Sequence, residues 1–327
     1  MKGEEVRSLV VSELAGPDAL RIGSLRLSPT PDDVIVDVHS AGVTFPDLLL
    51  THGRYQVKPE PPFAPGLEVA GVVRSAPADS GIAPGDRVIA FTGHGGGYAA
   101  TVAVQAPQVV PIPDTMGFDE AVGLMVNYQT AYFGLAERGR LRAGETVLVH
   151  GAAGGVGTAA VQIALSLGAR VLAVVSDEGK ADIAREAGAK EVIMVGDCAK
   201  EVAERTRGEG VDLVYDPVGG DRFDASLRLI RPGGRILVIG FAEGRIPQIA
   251  ANQLLLRNID AVGVAWGHFV PHDAGLIRRV GAKLNELAGA GHVRPVVGAT
   301  YALEDGAQAL KDLEARKTVG KSVLRLC

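Results

Sequence analysis

His150-Gly151-Ala152-Ala153-Gly154-Gly155-Val156-Gly157 joins two segments of opposite pattern. Before it, residues 146–150 form a short apolar, β-prone run. After it, Val156, Ala160, Ile163 and Leu167 recur at spacings of four, three and four, which is one face of a helix, and Gly168 stops that helix. A glycine-rich turn between a strand and a helix is the setting of a dinucleotide-binding fingerprint. Aligned on Gly157, the pattern is Ala152-x-Gly154-x-x-Gly157, with alanine at the first glycine position. The physical requirements survive that change. Gly154 lets the backbone approach a pyrophosphate, and Gly157 lets the helix pack closely on the strand. The first N–H groups and the positive end of the helix attract phosphate. The candidate cradle is therefore Ala153, Gly154, Gly155, Val156 and Gly157. A turn of this composition with no ligand is the alternative.

The surroundings favour the cradle. Further short apolar runs at 171–175, 192–195, 213–215 and 236–239 alternate with helical patterns, one of which, 180–187, ends at Gly188. Such alternation means right-handed βαβ units and a doubly wound parallel sheet. The first third reads differently. Val34, Val36 and Val38 alternate with Ile35, Asp37 and His39, a strand with one wetter face. Pro59, Pro61, Pro62, Pro65-Gly66, Pro84-Gly85-Asp86 and Gly95-Gly96-Gly97 punctuate the next sixty residues, as in a small barrel-like β domain. The change of pattern comes near Asp119. In the tail, Leu276, Val280, Leu284 and Leu287 mark a helix capped by Asp273. Ala307, Leu310 and Leu313 mark another helix, and residues 322–326 a last strand.

Length and composition set limits. At 327 residues the chain is about two domains long. The 43 glycines have no collagen-like period and so mark turns and close approaches. A net charge of −5 without a basic tract argues against nucleic acid or an anionic membrane as partner. Cys198 and Cys327 are too few and too far apart for a disulfide framework or a zinc set. The N-terminal residues have no signal-peptide pattern, and no window reaches the ~18 uninterrupted apolar residues of a membrane helix. The expectation is a cytoplasmic protein. His39, His52, His94, His150, His268, His272 and His292 show no paired metal spacing on a helix. His268 and His272 are four apart, but Pro271 between them argues for a loop.

Cofactor choice falls to Ser176-Asp177-Glu178-Gly179-Lys180, at the end of the second strand of the alternating region. An acid there would bind the ribose 2′-OH of NAD, whereas a 2′-phosphate wants hydroxyls and a cation. Ser176 and Lys180 fit the phosphate. Asp177 selects NAD if it faces the ribose. NADPH is the favoured reading, with NADH as the alternative.

In order along the chain stand Ala41-Gly42-Val43, Pro65-Gly66-Leu67-Glu68-Val69-Ala70-Gly71, Gly85-Asp86-Arg87-Val88, Asn127-Tyr128-Gln129-Thr130-Ala131-Tyr132, the glycine-rich turn, Asp216-Pro217-Val218-Gly219-Gly220, and Gly320-Lys321-Ser322-Val323-Leu324-Arg325. On these phrases the chain resembles the medium-chain dehydrogenase/reductase superfamily, and within it the zinc-independent quinone oxidoreductases, the ζ-crystallin-like group. The resemblance implies a GroES-like domain, residues 1–120 completed by 267–327, and a Rossmann domain, 121–266, with the nicotinamide in the cleft between them. It puts Thr44 and Thr130 near the nicotinamide and has Gly240 and Phe241 border it, although Phe241 could equally be core. Leu254–Leu256 and Ile259–Trp266 are apolar and close the alternating region, where its sheet has an open edge, and the resemblance implies a homodimer through that edge strand. The zinc branch carries a cysteine after the Ala-Gly-Val phrase and a histidine before the glutamate. Here those positions hold Thr44 and Leu67, and no cysteine precedes Cys198, so no metal site is expected. The chain departs from the family at Val195, where a tyrosine often helps to hold the 2′-phosphate.

Without zinc to polarise an oxygen, hydride suits an acceptor that already stabilises negative charge, such as a quinone or an enone. The protein then supplies position and a few donors. Tyr55, in His52-Gly53-Arg54-Tyr55, is the leading catalytic candidate, since related enoyl-thioester reductases carry a proton-donating tyrosine in a similar phrase. It could instead simply pack on the substrate. Asp47 reads as a structural carboxylate, and Asp216 as a cap for the turn after its strand. The expected activity is an NADPH-dependent, zinc-independent reduction of a quinone or activated alkene. The rivals are an enoyl-thioester reductase, for which Arg54 and Lys58 could meet a carrier phosphate, and a non-catalytic NADP-binding protein.

Overall fold

The computed structural model describes residues 3–93 and 95–326; His94 and Cys327 lie outside them. The chain divides into two compact units, Met1–Val126 with Val270–Asn285 and Val297–Cys327, and Asn127–Phe269 with Glu286–Val296.

In the first unit, β1 (Glu4–Val11) and β2 (Leu20–Leu27) form an antiparallel ribbon. A larger sheet is built from β3 (Asp33–Val43), β4 (Glu68–Ser75), β5 (Arg87–Phe91), β6 (Thr101–Gln105) and β7 (Val109–Pro111). Val34, Val36 and Val38 are buried as the alternation expects, but Ile35 is buried too. β3 is a central strand, paired with β4 and β6 along this stretch, and its second face is covered at Ile35 while Asp37 and His39 stay partly accessible.

The second unit is a six-stranded parallel sheet. Its strands are β8 (Thr146–Val149), β9 (Arg170–Val175), β10 (Glu191–Met194), β11 (Val211–Asp216), β12 (Ile230–Val238) and β13 (Asp260–Gly263), in the spatial order β10-β9-β8-β11-β12-β13. That is the doubly wound order, with its switch point between β8 and β11. Helices Gly155–Ser166, Glu178–Glu186, Cys198–Arg205 and Gly220–Ser226 make the crossovers. Leu148, Leu172, Val174, Ile193, Val214, Phe223 and Ile236 meet in one buried cluster beneath the sheet. The strand expected at 236–239 begins earlier, at Ile230. Arg231-Pro232-Gly233-Gly234 lies within β12, where the pairing with β11 shifts register.

The chain then returns to the first unit. β14 (Val297–Ala302) and β15 (Lys321–Arg325) extend the larger sheet, β15 running antiparallel to β3 with Ser322 opposite Val43. The expected domain borders differ from the observed ones in one notable place, since residues 286–296 pack with the dinucleotide unit. Gln162 explains this. Its Nε2 donates to the Arg294 carbonyl at 2.9 Å, and its Oε1 accepts from the Arg294 N–H at 2.8 Å and the Tyr128 hydroxyl at 2.8 Å. A side chain gripping a distant backbone leaves no periodic trace in the sequence.

The helix Leu276–Gly289 comes after the Asp273 turn, with the Gly275 N–H donating to Asp273 Oδ1 at 3.1 Å. The loop expected between His268 and His272 is instead helical, Trp266–Phe269 followed by the 3₁₀ turn Val270–His272. Among the described residues no helix is long and apolar enough to cross a membrane.

Candidate functional site

In the second unit β8 delivers the chain into the glycine-rich turn. Gly151 has φ +59°, a left-handed conformation that glycine adopts without strain. The tight-turn role that the aligned pattern assigned to the residue at 152 thus falls one position earlier, and Ala152 is fully buried. A Cβ on Gly157 would collide with the Gly151 carbonyl, so this glycine sets the helix–strand approach. A Cβ on Gly154 would sit 3.4 Å from the same carbonyl, an ordinary contact. Gly154 therefore does not serve internal packing; it keeps the surface open where a ligand would lie. Ala153 is buried, while Gly154, Gly155 and Val156 remain partly accessible. They open a 12-residue helix whose first N–H groups have no intrahelical acceptor.

At the end of β9 the three polar residues form one arrangement. Asp177 is the N-cap of the helix Glu178–Glu186, its Oδ1 accepting the Lys180 N–H at 3.0 Å. Its Oδ2 accepts the Ser176 hydroxyl at 2.8 Å. These two hydrogen bonds hold the Asp177 carboxyl below the usual aspartate range. Lys180 Nζ donates to Ser176 Oγ at 2.9 Å and lies 3.3 Å from Asp177 Oδ2. The acid that could have selected a ribose hydroxyl is engaged in capping and in holding Ser176 and Lys180 side by side. A hydroxyl and an ammonium together suit a phosphate monoester.

Across the switch point, Asp216 ends β11 with its side chain buried. Its Oδ1 accepts the N–H groups of Val218 at 2.7 Å and Gly219 at 3.1 Å, the turn-capping role expected of it. Val218 faces the glycine-rich turn, 3.4 Å from where a Gly151 Cβ would be. Gly240 and Phe241 come directly after β12, and Phe241 is half-buried, folded over Gly219 rather than sunk in the core. Thr130 is half-buried in the helix Val126–Tyr132. His150 is enclosed, with Nε2 2.6 Å from Ser226 Oγ. Burial, and secondarily the Arg222 charge, lower its pKa to about 4, so at neutral pH it is an uncharged structural group.

The first unit carries Thr44 and Tyr55. Thr44 is buried and caps the helix Phe45–Thr51; its N–H and hydroxyl donate to Asp47 Oδ2 at 2.8 and 2.6 Å. The same carboxylate accepts the Gly66 N–H at 2.9 Å and the Tyr98 hydroxyl at 3.2 Å. The Thr44 hydroxyl thus donates to Asp47 and accepts the Asp47 N–H at 3.3 Å, as a capping group of the helix Phe45–Thr51. Tyr55 is half-buried, and burial first, then the Asp47 charge, push its hydroxyl pKa up. It keeps its proton at neutral pH and can donate it.

One buried pair was missed in the sequence. Glu68 and Lys321, both within 3 % of full burial, form a salt bridge. Lys321 Nζ also donates to the Val43 carbonyl at 3.1 Å, and Glu68 Oε2 accepts the Val126 N–H at 2.6 Å. A side chain at Gly42 would collide with both partners. The only available signal was a lysine opening an otherwise apolar strand.

Where the zinc branch would place thiolate and imidazole, this chain has a capping hydroxyl and a buried Leu67 beside a carboxylate already held by an ammonium. Those donors do not suit zinc, which takes thiolate, imidazole or free carboxylate. Among the described residues no cluster of three His, Cys, Asp or Glu is arranged to hold a metal ion.

Residues 30–114 match the family model of the alcohol dehydrogenase GroES-like domain, and residues 155–279 that of the zinc-binding dehydrogenases. A quinone oxidoreductase-like protein 2 homolog of Nematostella vectensis is 37% identical over 97% of this chain and 88% of its own length. A probable oxidoreductase from Mycobacterium abscessus superposes with a TM-score of 0.90 at 46% identity, covering 99% of both chains. The quinone oxidoreductase of Thermus thermophilus, solved also in complex with NADPH, gives 0.85 at 33% identity over 98% of this chain and 100% of that one. CurK enoyl reductase gives 0.89 at 28% identity over 99% and 100%.

Proposed function

Because the chain belongs to the medium-chain dehydrogenase/reductase superfamily, in its quinone oxidoreductase-like group, we propose that it is a zinc-independent, NADPH-dependent oxidoreductase that reduces quinones or similarly activated alkenes. The observation that carries the cofactor choice is the capped Asp177, which leaves Ser176 and Lys180 as a phosphate-binding pair. The glycine-rich turn of Ala153, Gly154, Gly155, Val156 and Gly157 would hold the pyrophosphate, and Thr130, Gly240 and Phe241 would border the nicotinamide. Bound there, NADPH would supply the hydride. With Thr44 and Leu67 in place of metal ligands, the acceptor must stabilise its own developing charge. A quinone does so and takes its protons from water.

A second reading has its own support. Tyr55 is held protonated in a half-buried position, and the similarity extends to an enoyl reductase. Reducing an enoyl thioester leaves an enolate-like centre, where a placed proton donor contributes ~10²–10⁴-fold. Tyr55→Phe removes the hydroxyl and keeps the ring. With a simple quinone and NADPH we expect kcat to stay within about threefold and KM to change more. A kcat loss of about 100-fold on the better of a quinone and a crotonyl thioester, with KM little altered, would make Tyr55 the acid and the protein an enoyl reductase. Absence of NADPH oxidation with every acceptor would leave a binding protein.

We also propose a homodimer through the edge of the parallel sheet. The face is the edge named from the sequence, narrowed by burial. Ile259, Val264 and Trp266 are buried within the unit, so the exposed edge is β13 itself, flanked by Leu255 and Leu256 at 74% and 76% exposure. An open edge beside exposed leucines is a surface that proteins normally cover. Sedimentation at micromolar concentration should give the mass of two chains; a single-chain mass refutes the dimer.

A further inference from the structure

Arg222 stands in the first turn of the helix Gly220–Ser226. It is half-buried, yet it makes no hydrogen bond or ion pair with another described residue. The acids nearest to it in sequence do not neutralise it. Asp221 and Asp224 are both engaged by Arg245. Asp216 spends Oδ1 on two backbone N–H groups, and its buried Oδ2 has no hydrogen-bond partner. Burial raises the Asp216 pKa, against the two backbone N–H groups and the Arg222 charge, which lower it, so the guanidinium acts on this carboxyl through space and without a hydrogen bond.

The place of that charge can be read from the groups it acts on. The Arg222 charge reaches His150 just after β8, Cys198 at the start of the helix after β10, and Asp216 at the end of β11. All three mark the carboxyl edge of the sheet, where doubly wound folds take their ligands. In the order β10-β9-β8-β11, the end of β9 lies between them, and it carries Ser176 and Lys180.

We propose that Arg222 is a cofactor-specificity residue whose guanidinium takes the 2′-phosphate of NADPH together with Ser176 and Lys180. This rests on the NADPH reading above. A phosphate monoester carries about −1.5 to −2 charges at neutral pH. Lys180 alone cannot match it, because Asp177 Oδ2 already lies 3.3 Å from Nζ. A second cation without a partner of its own closes that deficit, and the planar guanidinium fork fits two phosphate oxygens at once.

The test is calorimetric titration of adenosine 2′,5′-bisphosphate and adenosine 5′-monophosphate into wild type, Arg222→Gln, Arg222→Lys and Lys180→Ala, with thermal unfolding to verify each fold. Arg222→Gln should weaken the bisphosphate about tenfold and the monophosphate less than about twofold, with Arg222→Lys between wild type and Arg222→Gln. Lys180→Ala should show the same selective loss. Equal losses of both ligands in Arg222→Gln would place Arg222 on the adenine or in the fold and overturn the proposal, as would no loss at all. A wild type that binds the two ligands equally overturns the NADPH reading itself. A wild type that prefers the bisphosphate, with Arg222→Gln unchanged, overturns only the role of Arg222.

Discussion

Two buried sites, one in each unit, hold ionisable side chains by opposite means. The first buries charge and compensates it: Glu68 against Lys321, and Asp47 against four donors from Thr44, Gly66 and Tyr98. The second buries His150 uncharged beside a serine hydroxyl and keeps Lys180 and Arg222 for the ligand edge of its sheet. A compensated pair is stable until one partner is lost, and then the survivor is a charge with nowhere to go. A neutral buried group is indifferent to its neighbours' charge until the pH asks it to ionise. The Glu68–Lys321 site should therefore be sensitive to mutation, and the His150 site to acid.

The largest expected effect tests the first half of that contrast. Lys321→Met keeps the aliphatic stem, so it opens little cavity, but it leaves the Glu68 carboxylate buried without a counter-charge. Breaking such a pair costs ~3–5 kcal/mol, whereas replacing both members is often close to neutral. Urea unfolding should show a loss of that size for Lys321→Met, with at least half of it regained in Lys321→Met/Glu68→Gln. A single-variant loss below about 1 kcal/mol would mean that Glu68 is protonated in the native protein, and that this unit too buries its polar groups neutral.

Legibility in the sequence divides the same way. The second unit was open to reading because its function is written in local order: strand, glycine turn, helix, then Ser176 and Lys180 four residues apart. Its misreadings were local as well. The tight turn falls at Gly151, one place before the aligned alanine, and the strand expected at 236–239 begins at Ile230. In the first unit the decisive contacts join residues far apart in the chain. Glu68 and Lys321 are separated by 253 positions, and Asp47 and Tyr98 by 51. No period or motif connects them. Thr44 was placed by resemblance near the chemistry, and its cap on the helix Phe45–Thr51 is visible only in the structure. The same limit hid the hold of Gln162 on Arg294, which carries residues 286–296 into the second unit.

The smaller effect tests the other half. The native pKa of His150 is about 4 against an ordinary value of 6.5, and burial is the first cause. Between those values the unfolded chain binds a proton that the folded protein refuses. Acid therefore favours unfolding: the stabilisation is fully present above pH 6.5, falls as pH drops through this window, and levels off below about pH 4, where the folded protein also protonates. A shift of this size corresponds to about 3 kcal/mol. His150→Gln can still hydrogen-bond Ser226 but cannot titrate. Other carboxyls also titrate in this range, so the measurement is the difference between wild-type and variant unfolding free energies at a series of pH values. Near neutrality that difference reports only the altered packing. As pH falls toward about 4 it should move by about 3 kcal/mol in favour of the variant. Parallel curves across the whole window would mean that the folded protein accommodates the imidazolium, and the contrast between a charge-compensating site and a charge-excluding one would fail.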